Sequence, residues 1–572
     1  MDAMHVLSAA EMQACDRATT DLLGVPTLEL MHAAAAAVAE MVRAEFPRAR
    51  RVTVLCGRGN NGGDGMMAAR LLAGAGLEVT TLVLGDPEEL EGDAMVAYLE
   101  LLMTAGETGT RNPPRAIREA QDLTTHKAPS HADLIVDAMV GTGFKPPLKG
   151  LALAAVEWVK SLGAPVLAVD LPSGWPADAT KATMQEAVCP ADAVITFTAP
   201  KLAHVFGQLT RRWDQPVVVA PIGSPETVID SVLNSRSPGL HWTGSAMELA
   251  QAPRDAESNK GQFGHVLVVG GSLGTAGGRS GAPSMAAMAA LRSGAGLVTA
   301  AVPQPALALV AAAAPELMTL PLAASQAGRI SAENLTAEGL AVLMAGKTVL
   351  ALGPGLGQGP ETVEFTRGLL AATKIPAVID ADALNILASE PEMLKALSAQ
   401  AKAGRMVVLT PHPGEMARLT GTTIAQVQAN RLEVARDFAQ RFGVTLVLKG
   451  ARTLIAHPDG KVAVNTTGNP GMAKGGSGDL LTGVVAAMLA QYPHDAPRAV
   501  EAAVYLHGLA ADLAVREADE HTLLATDSLA QFSRAFRFRL FSVGVGGENG
   551  YVWLQGLPAG NTPAAANHEA AE

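Results

Sequence analysis

Two glycine-rich turns in this sequence carry carboxylates that a turn does not itself require. The first, GNPGMAKGGSGD from Gly468 to Asp479, leads straight into the apolar run LLTGVVAAML. Its glycines allow close backbone approach, and a helix starting behind them presents unpaired N–H groups and the positive end of its dipole, which suits a phosphate. Ser477 adds a hydroxyl and Asp479 a carboxylate. Beside a bound anion a carboxylate is electrostatically costly, so Asp479 either performs chemistry or serves only as the helix N-cap. The second turn, GRGNNGGDG at 57–65, stands between the apolar RVTVLC and the helix-like MMAARLLAGAG, and contains G-x-G-x-x-G at Gly57, Gly59 and Gly62. Asn60, Asn61 and Asp64 set it apart, because a pyrophosphate loop gains nothing from a facing carboxylate. Amide oxygens and a carboxylate so close together suit a hard cation or the hydroxyls and amides of a substrate; alternatively the asparagines only support positive-φ turn geometry.

Further polar groups sit at the ends of apolar strands. ADLIVDAMVGTG (132–143) brings Asp137 and a Gly-Thr-Gly turn, and APVLAVDLPSG (164–174) brings Asp170 and Ser173. Open parallel α/β sheets bind ligands outside the carboxyl ends of their strands, so Asn61, Asp137, Asp170 and Ser173 are expected to converge on one crevice. Lys201, ending ADAVITFTAPK, reads as a solvated or phosphate-steering lysine at the same edge, and Asp86, ending LEVTTLVLGD, stands roughly where a dinucleotide fold puts its ribose-binding acid. In the second half, HVLVVGG runs into GGSLGTAGGRSGAP (270–283), TVLALGPGLG (348–357) repeats strand and glycine turn, and VVLTPHPGEM (407–416) ends in His412 and Glu415. PAVIDADAL (376–384) ends in Asp380 and Asp382, expected to shape their loop, and VTLVLKGARTLIA (444–456) places Lys449 on a tight turn between two strands. No G-x-x-x-x-G-K-[ST] occurs, which disfavours a P-loop NTPase and leaves phosphate handling to the Gly475–Asp479 loop.

The elements that must position these groups alternate strand and helix, which means layered α/β domains, and 572 residues exceed one ordinary core. Hydrophobic residues at 48% with 4% aromatics and 58 glycines fit helices packed closely on sheets. A net charge of -12 provides no basic footprint for nucleic acid or an anionic membrane, so an anionic ligand must be held locally. Cys15, Cys56 and Cys189 show no pairing or zinc spacing, and the N-terminal MDAMHVLSAAEMQACDR has no apolar h-region; a cytoplasmic enzyme is the expectation. The uncharged run Ser293–Pro315 is broken by glycines and prolines and reads as strand, turn and short helix, not a membrane span. The polar stretch 226–245 reads as a linker, and 546–572, rich in Gly, Ala and Asn, as a mobile tail.

VLCGRGNNGGDG, VDAMVGTG and AVDLPSG together resemble the N-terminal domain of the YjeF proteins, the NAD(P)HX epimerases, over 1–225. The resemblance implies a Rossmann-like three-layer αβα domain in which Asn60, Asn61, Gly62, Gly63, Asp64, Gly141, Thr142, Gly143, Phe144, Lys145, Pro146, Pro147 and Asp170 contact the hydrated nicotinamide dinucleotide. It likewise implies that Asn61, Asp137 and Ser173 ligate K⁺. The chain departs from the family pattern at LMHAAA (30–35) and VAPIG. GGSxG, LRSGAGLV, PELM, LGPGLG, DADAL, TPHPGE, KGxxT and GNPGMAKGGSGD resemble the ribokinase-like family, and within it the ADP- or ATP-dependent NAD(P)H-hydrate dehydratases, over 246–545. That implies a second αβα domain in which Ala282, Gly355, His412 and Asp479 contact the hydrated dinucleotide, while Lys449, Gly450, Ala451, Arg452, Thr453 and Gly478 hold the adenine nucleotide, with Mg²⁺.

The chemistry that joins the two is metabolite repair. A hydrated nicotinamide ring carries a hydroxyl at C6; phosphoryl transfer to it from ADP or ATP creates a leaving group, and loss of phosphate restores the ring. Asp479 is the expected base and the Gly475–Gly478 N–H groups the charge stabilisers. An epimerase, with Asp170 assisting proton movement, supplies the usable epimer of NADHX or NADPHX. A homo-oligomer is expected. The rival readings are a ribokinase-like kinase of a small vitamin alcohol and a non-catalytic scaffold.

Overall fold

The structure, a computed structural model, describes residues 4–107, 113–125, 128–184, 187–233, 239–274, 277–538, 541–542 and 550–557. The chain divides into two compact units, His5–Ser237 with Arg539–Glu572, and Pro238–Phe538 with Met1–Met4.

In the first unit the described strands are β1 (Arg51–Cys56), β2 (Glu78–Leu84), β3 (Arg115–Ile117), β4 (Leu134–Ala138), β5 (Val166–Val169), β6 (Ala193–Phe197) and β7 (Val217–Ala220). They run parallel in the order β7-β6-β5-β4-β1-β2-β3. Nearly every residue of β1, β4, β5, β6 and β7 is buried, the signature of a parallel sheet covered on both faces. The order reverses between β1 and β4, so the loops after these two strands diverge and leave a crevice at their carboxyl ends. The helix Asn60–Gly74 starts in that crevice. It follows β1 closely because a Cβ at Gly62 would lie 2.0 Å from the Gly57 carbonyl oxygen, which only glycine avoids.

The second unit contains β8 (Leu240–Trp242), β9 (His265–Val269), the two-residue hairpin strands β10 (Leu273–Gly274) and β11 (Gly277–Gly278), β12 (Leu297–Pro303), β13 (Met318–Leu322), β14 (Val349–Leu352), β15 (Ala377–Ile379), β16 (Val407–Leu409), β17 (Thr445–Leu448), β18 (Leu454–Ala456) and β19 (Val462–Val464). The main sheet runs β13-β12-β9-β14-β15-β16-β17-β18-β19-β8, parallel as far as β17, with β18 antiparallel to both β17 and β19. Its order reverses between β9 and β14, again opening a crevice at the strand ends. The helices Gly281–Arg292 and Ser477–Gln491 pack tightly together, with no room for a side chain at Gly483, whose Cβ would lie 2.0 Å from the Ala286 carbonyl oxygen. The Ser293–Pro315 stretch is β12 followed by the short helix Leu307–Ala311, and no helix among the described residues is long and apolar enough to cross a membrane.

Two stretches differ from their sequence reading. In 226–245, the helix Glu226–Val232 buries Ile229 with Leu7, Met12 and Cys15 of the first unit. Leu240–Trp242 forms β8, parallel to β19, and Trp242 is buried against Tyr505 with ring centroids 5.6 Å apart. Within 546–572, Tyr551–Gln555 is not a free tail but a strand, β21, antiparallel to β7 and itself paired with β20 (Phe541–Ser542). The glycines around YVWLQ masked a β-branched and aromatic run whose Trp553 enters the core; 546–549 and 558–572 lie outside the described residues.

Candidate functional site

In the first unit the expected loops do meet, around a cavity of about 670 Å³. Asn60, Asn61 and Asp64 line it from the helix after β1, Gly141 to Phe144 from the loop after β4, and Asp170 from the end of β5. A Cβ at Gly141 would sit 3.2 Å from both the Asn61 side chain and Asp170 Oδ2, which measures how closely the three loops converge. Gly62 and Gly63 are buried behind the wall, and Lys145, Pro146 and Pro147 are exposed outside it. Asp86 also lies outside, paired with Arg118 at 3.1 Å. The helices Ala9–Leu23 and Thr27–Glu45 contribute Asp16 and Met31, among others, to the cavity, residues that the sequence reading did not single out.

Asp170 is the most constrained group. Its backbone is left-handed, φ 65, a strain of about 1–3 kcal/mol for a non-glycine residue. Its Oδ1 accepts from Lys201 Nζ at 2.9 Å and from Thr196 Oγ1 at 2.9 Å, and its Oδ2 accepts from the Thr142 N–H at 3.1 Å. His204 Nδ1 accepts from the Lys201 N–H, so Nε2 carries the proton and donates to the Asp170 carbonyl at 2.7 Å. Burial pushes His204 down to about 4 and keeps it neutral. Burial also works against the Asp170 carboxylate, but the Lys201 charge leads the interactions that more than offset it and hold its pKa below the ordinary value. Lys201, expected in solvent, is therefore corrected: it is 2% exposed because the buried carboxylate needs a counter-ion.

Behind the cavity, Asp137 is fully buried. It accepts from Ser173 Oγ at 2.6 Å, the Ser173 N–H at 2.8 Å and the Met139 N–H at 3.2 Å, yet burial still raises its pKa. The Asn61 amide nitrogen is buried without a partner among the described residues. No three His, Cys, Asp or Glu side chains among the described residues gather as a metal centre.

In the second unit Asp479 occupies the first turn of the helix Ser477–Gln491, behind Gly475 and Gly476, and its carboxylate accepts no hydrogen bond from the described residues. It is not the N-cap, a place held by Gly476. Burial, with Asp380 close by, pushes its pKa up to about 6. Lys449 Nζ donates to Asp380 Oδ1 at 2.7 Å and lies 3.8 Å from Glu415, and a Cβ at Gly478 would be 3.4 Å from that nitrogen. Asp380, 1% exposed, also accepts from Thr482 Oγ1 at 2.8 Å. It also anchors the Lys449 cation, whose charge acts on Asp479.

The substrate-side residues are arranged around the same strand ends. Gly355 and Ala282 adjoin, a Cβ at Gly355 falling 3.3 Å from that of Ala282. Arg279 donates to Asp382 at 2.7 Å, and Asp382 also takes the Gly357 N–H at 2.8 Å. His412 caps the helix Pro413–Thr420: its Nδ1 accepts from the Gly414 N–H at 3.0 Å, so Nε2 carries the proton, 3.4 Å from Glu415 Oε1. Burial, with Lys449 and Arg418 nearby, lowers its pKa, which favours the neutral ring. After Lys449 the turn is fixed from below, Arg431 donating to the Leu448 and Arg452 carbonyls and Arg452 to the Thr466 carbonyl. Gly450 and Ala451 are exposed at its tip, and Thr453 Oγ1 donates back to Gly450.

The chain matches two family models, one described as NAD(P)H-hydrate dehydratase over residues 266–533 and one as YjeF-related protein N-terminus over 27–203. It is similar to the bifunctional NAD(P)H-hydrate repair enzyme Nnr of Moorella thermoacetica, 40% identical across 92% of this chain and 95% of that one. The enzyme of the same description from Escherichia coli is 35% identical across 92% and 93%. Among solved structures, the ADP/ATP-dependent NAD(P)H-hydrate dehydratase of Bacillus subtilis, co-crystallised with ATP/Mg²⁺, is 32% identical over 52% of this chain and 96% of that one, with a TM-score of 0.42.

Proposed function

The chain belongs to the family of bifunctional NAD(P)H-hydrate repair enzymes, and we propose from that premise how its residues divide the work. The first unit interconverts the R and S epimers of NADHX and NADPHX, and the second dehydrates the S epimer to NAD(P)H at the expense of ADP or ATP. The observation that carries the second half is Asp479: a carboxyl with no partner among the described residues, its pKa raised to about 6, at a helix N-terminus with Lys449 beside it. A carboxyl near neutrality is suited to take the proton of the C6 hydroxyl, while the N–H groups of Gly475 to Gly478 face the phosphoryl group. His412 Nε2, Gly355 and Ala282 hold the hydrated ring, and the turn from Lys449 to Thr453 holds the nucleotide. In the first unit Asp170, kept ionised by Lys201, is the base.

Two ions belong to this reading. The K⁺ site fits the donors present, for Asn61, Asp137 and Ser173 offer oxygen ligands, and the unpartnered Asn61 amide turned over would present its oxygen at that buried point. The ion supplies charge that organises the loops after β1, β4 and β5. Mg²⁺ fits as an ion carried by the nucleotide, since Asp380 and Asp382 are already engaged by Lys449 and Arg279; it would supply charge to the phosphate oxygens. We assign the epimerase to 1–225 completed by β21, and the dehydratase to 246–538 completed by β8. A cytoplasmic location is supported by three free, buried cysteines. Self-association is supported by Val96, Leu99 and Met103, exposed on one face of the helix Gly92–Glu107.

The test is incubation of mixed NADHX epimers with ADP or ATP. NADH absorbance returns for both epimers, whereas accumulation of a stable phosphorylated compound without NADH would reveal a kinase instead.

A further inference from the structure

Of the three carboxylates that line the first cavity, Asp16, Asp64 and Asp170, the last two are in opposite circumstances. Both oxygens of Asp170 are engaged, by Lys201, Thr196 and the Thr142 N–H. Asp64, on the first turns of the helix Asn60–Gly74, lines the same cavity, and its carboxylate takes no hydrogen bond or ion pair from the described residues. We propose that Asp64 is the general acid and Asp170 the general base of a ring-opening epimerisation, an assignment that rests on the epimerase reading of this unit. The charged groups facing Asp64 are Asp170 from the end of β5, Asp16 from the helix Ala9–Leu23 and Lys201 after β6. Burial first, then the charges of Asp170 and Asp16, push the Asp64 carboxyl well above the usual carboxylate range, against the pull of Lys201. Two carboxyls driven apart in this way are suited to the acid and base roles of one reaction.

C6 of the hydrated ring bears both the hydroxyl and N1, so it is a hemiaminal carbon. Asp170 takes the hydroxyl proton, the C6=O double bond forms, and the C6–N1 bond breaks with its electron pair going to N1, which takes the proton of Asp64. Rotation about C5–C6 turns the other face of the aldehyde to N1. The N1 lone pair then closes on C6, its proton returns to Asp64, and the oxygen recovers its proton from Asp170. Nothing is oxidised or reduced and no co-reactant is consumed. Loss of water would instead leave an iminium ion one C5 proton away from NAD(P)H, bypassing the nucleotide-dependent step of the second unit.

The experiment uses the full-length chain with purified R and S epimers of NADHX and ADP or ATP. From the R epimer, Asp64→Asn is expected to lower kcat for NADH recovery by about 10²–10⁴-fold, with KM little changed and partial rescue in Asp64→Glu. The S epimer, consumed by the other unit, controls for the second unit, and an unchanged first-unit transition in a thermal melt reports that the variant's first unit is folded. An undiminished R-epimer rate in Asp64→Asn, or a loss confined to KM, overturns the assignment. Independently of any variant, wild-type epimerisation in H₂¹⁸O with the nucleotide omitted is expected to retain the original C6 oxygen in the recovered NADHX, and full ¹⁸O incorporation overturns ring opening. If the wild-type chain interconverts the epimers no faster than solution does, the epimerase reading itself falls.

Discussion

At the scale of single residues, Asp479 makes two predictions. Asp479→Ala is expected to lower dehydration of the S epimer by about 10²–10⁴-fold while R-to-S conversion persists. In the wild-type chain, that rate is expected to fall as pH drops below about 6, where the base becomes protonated. The stability effect has the opposite sense. The folded state raises this carboxyl above its unfolded value, so its contribution is favourable at low pH and is lost as pH rises towards 6. Asp479→Asn is therefore expected to stabilise the chain at neutral pH by on the order of 1–2 kcal/mol, and not below pH 4, as thermal melts at the two pH values will report. Lys449→Met leaves Asp380 buried without its cation and is expected to cost about 3–5 kcal/mol, most of it recovered by adding Asp380→Asn; denaturant titration measures both. The sequence made Asp479 legible because a carboxylate in a phosphate-friendly turn is anomalous in itself. Lys201 was misjudged and the ion pair of Asp380 went unread because their meaning lies in partners far along the chain, and no local spacing announces a buried ion pair.

At the scale of elements, the site depends on how closely two helices approach. Gly483→Ala would force the helix Ser477–Gln491 away from the Ala286 carbonyl, and that helix carries Asp479 at its start. Overpacking of this kind costs about 1–3 kcal/mol, and the dehydratase kcat is expected to fall while epimerisation is unaffected; steady-state assays on each epimer check it. Strand ends were the legible part of the fold, because a buried parallel strand reads as an unbroken apolar run stopped by a polar residue. The N-terminal helices were harder to assign to the site. Asp16 and Met31 sit within ordinary amphipathic stretches, and only the folded sheet brings them over the cavity. His412 was legible as a strand-end residue, but not its local role, one ring nitrogen capping a helix and the other 3.4 Å from Glu415.

At the scale of the whole molecule, the first unit is not continuous in sequence. Its sheet begins within the first tenth of the chain and is finished by β21, after the entire second unit. Truncation after Ser542 is expected to uncover β7, remove Trp553 from the core, and lower the melting temperature of the first unit, with S-epimer dehydration retained; calorimetry with separate epimer assays distinguishes the two. The return of the chain was not legible, because YVWLQ lies between glycine-rich stretches and its partner strand is more than three hundred residues upstream. During protein synthesis some 330 residues separate β7 from the strand that covers it, which at ribosomal speed is roughly 20–70 s. Throughout that interval the nascent sheet has an open edge able to pair with a neighbouring polypeptide. Nascent chains of this protein are therefore expected to lean on chaperones until the last strand is translated.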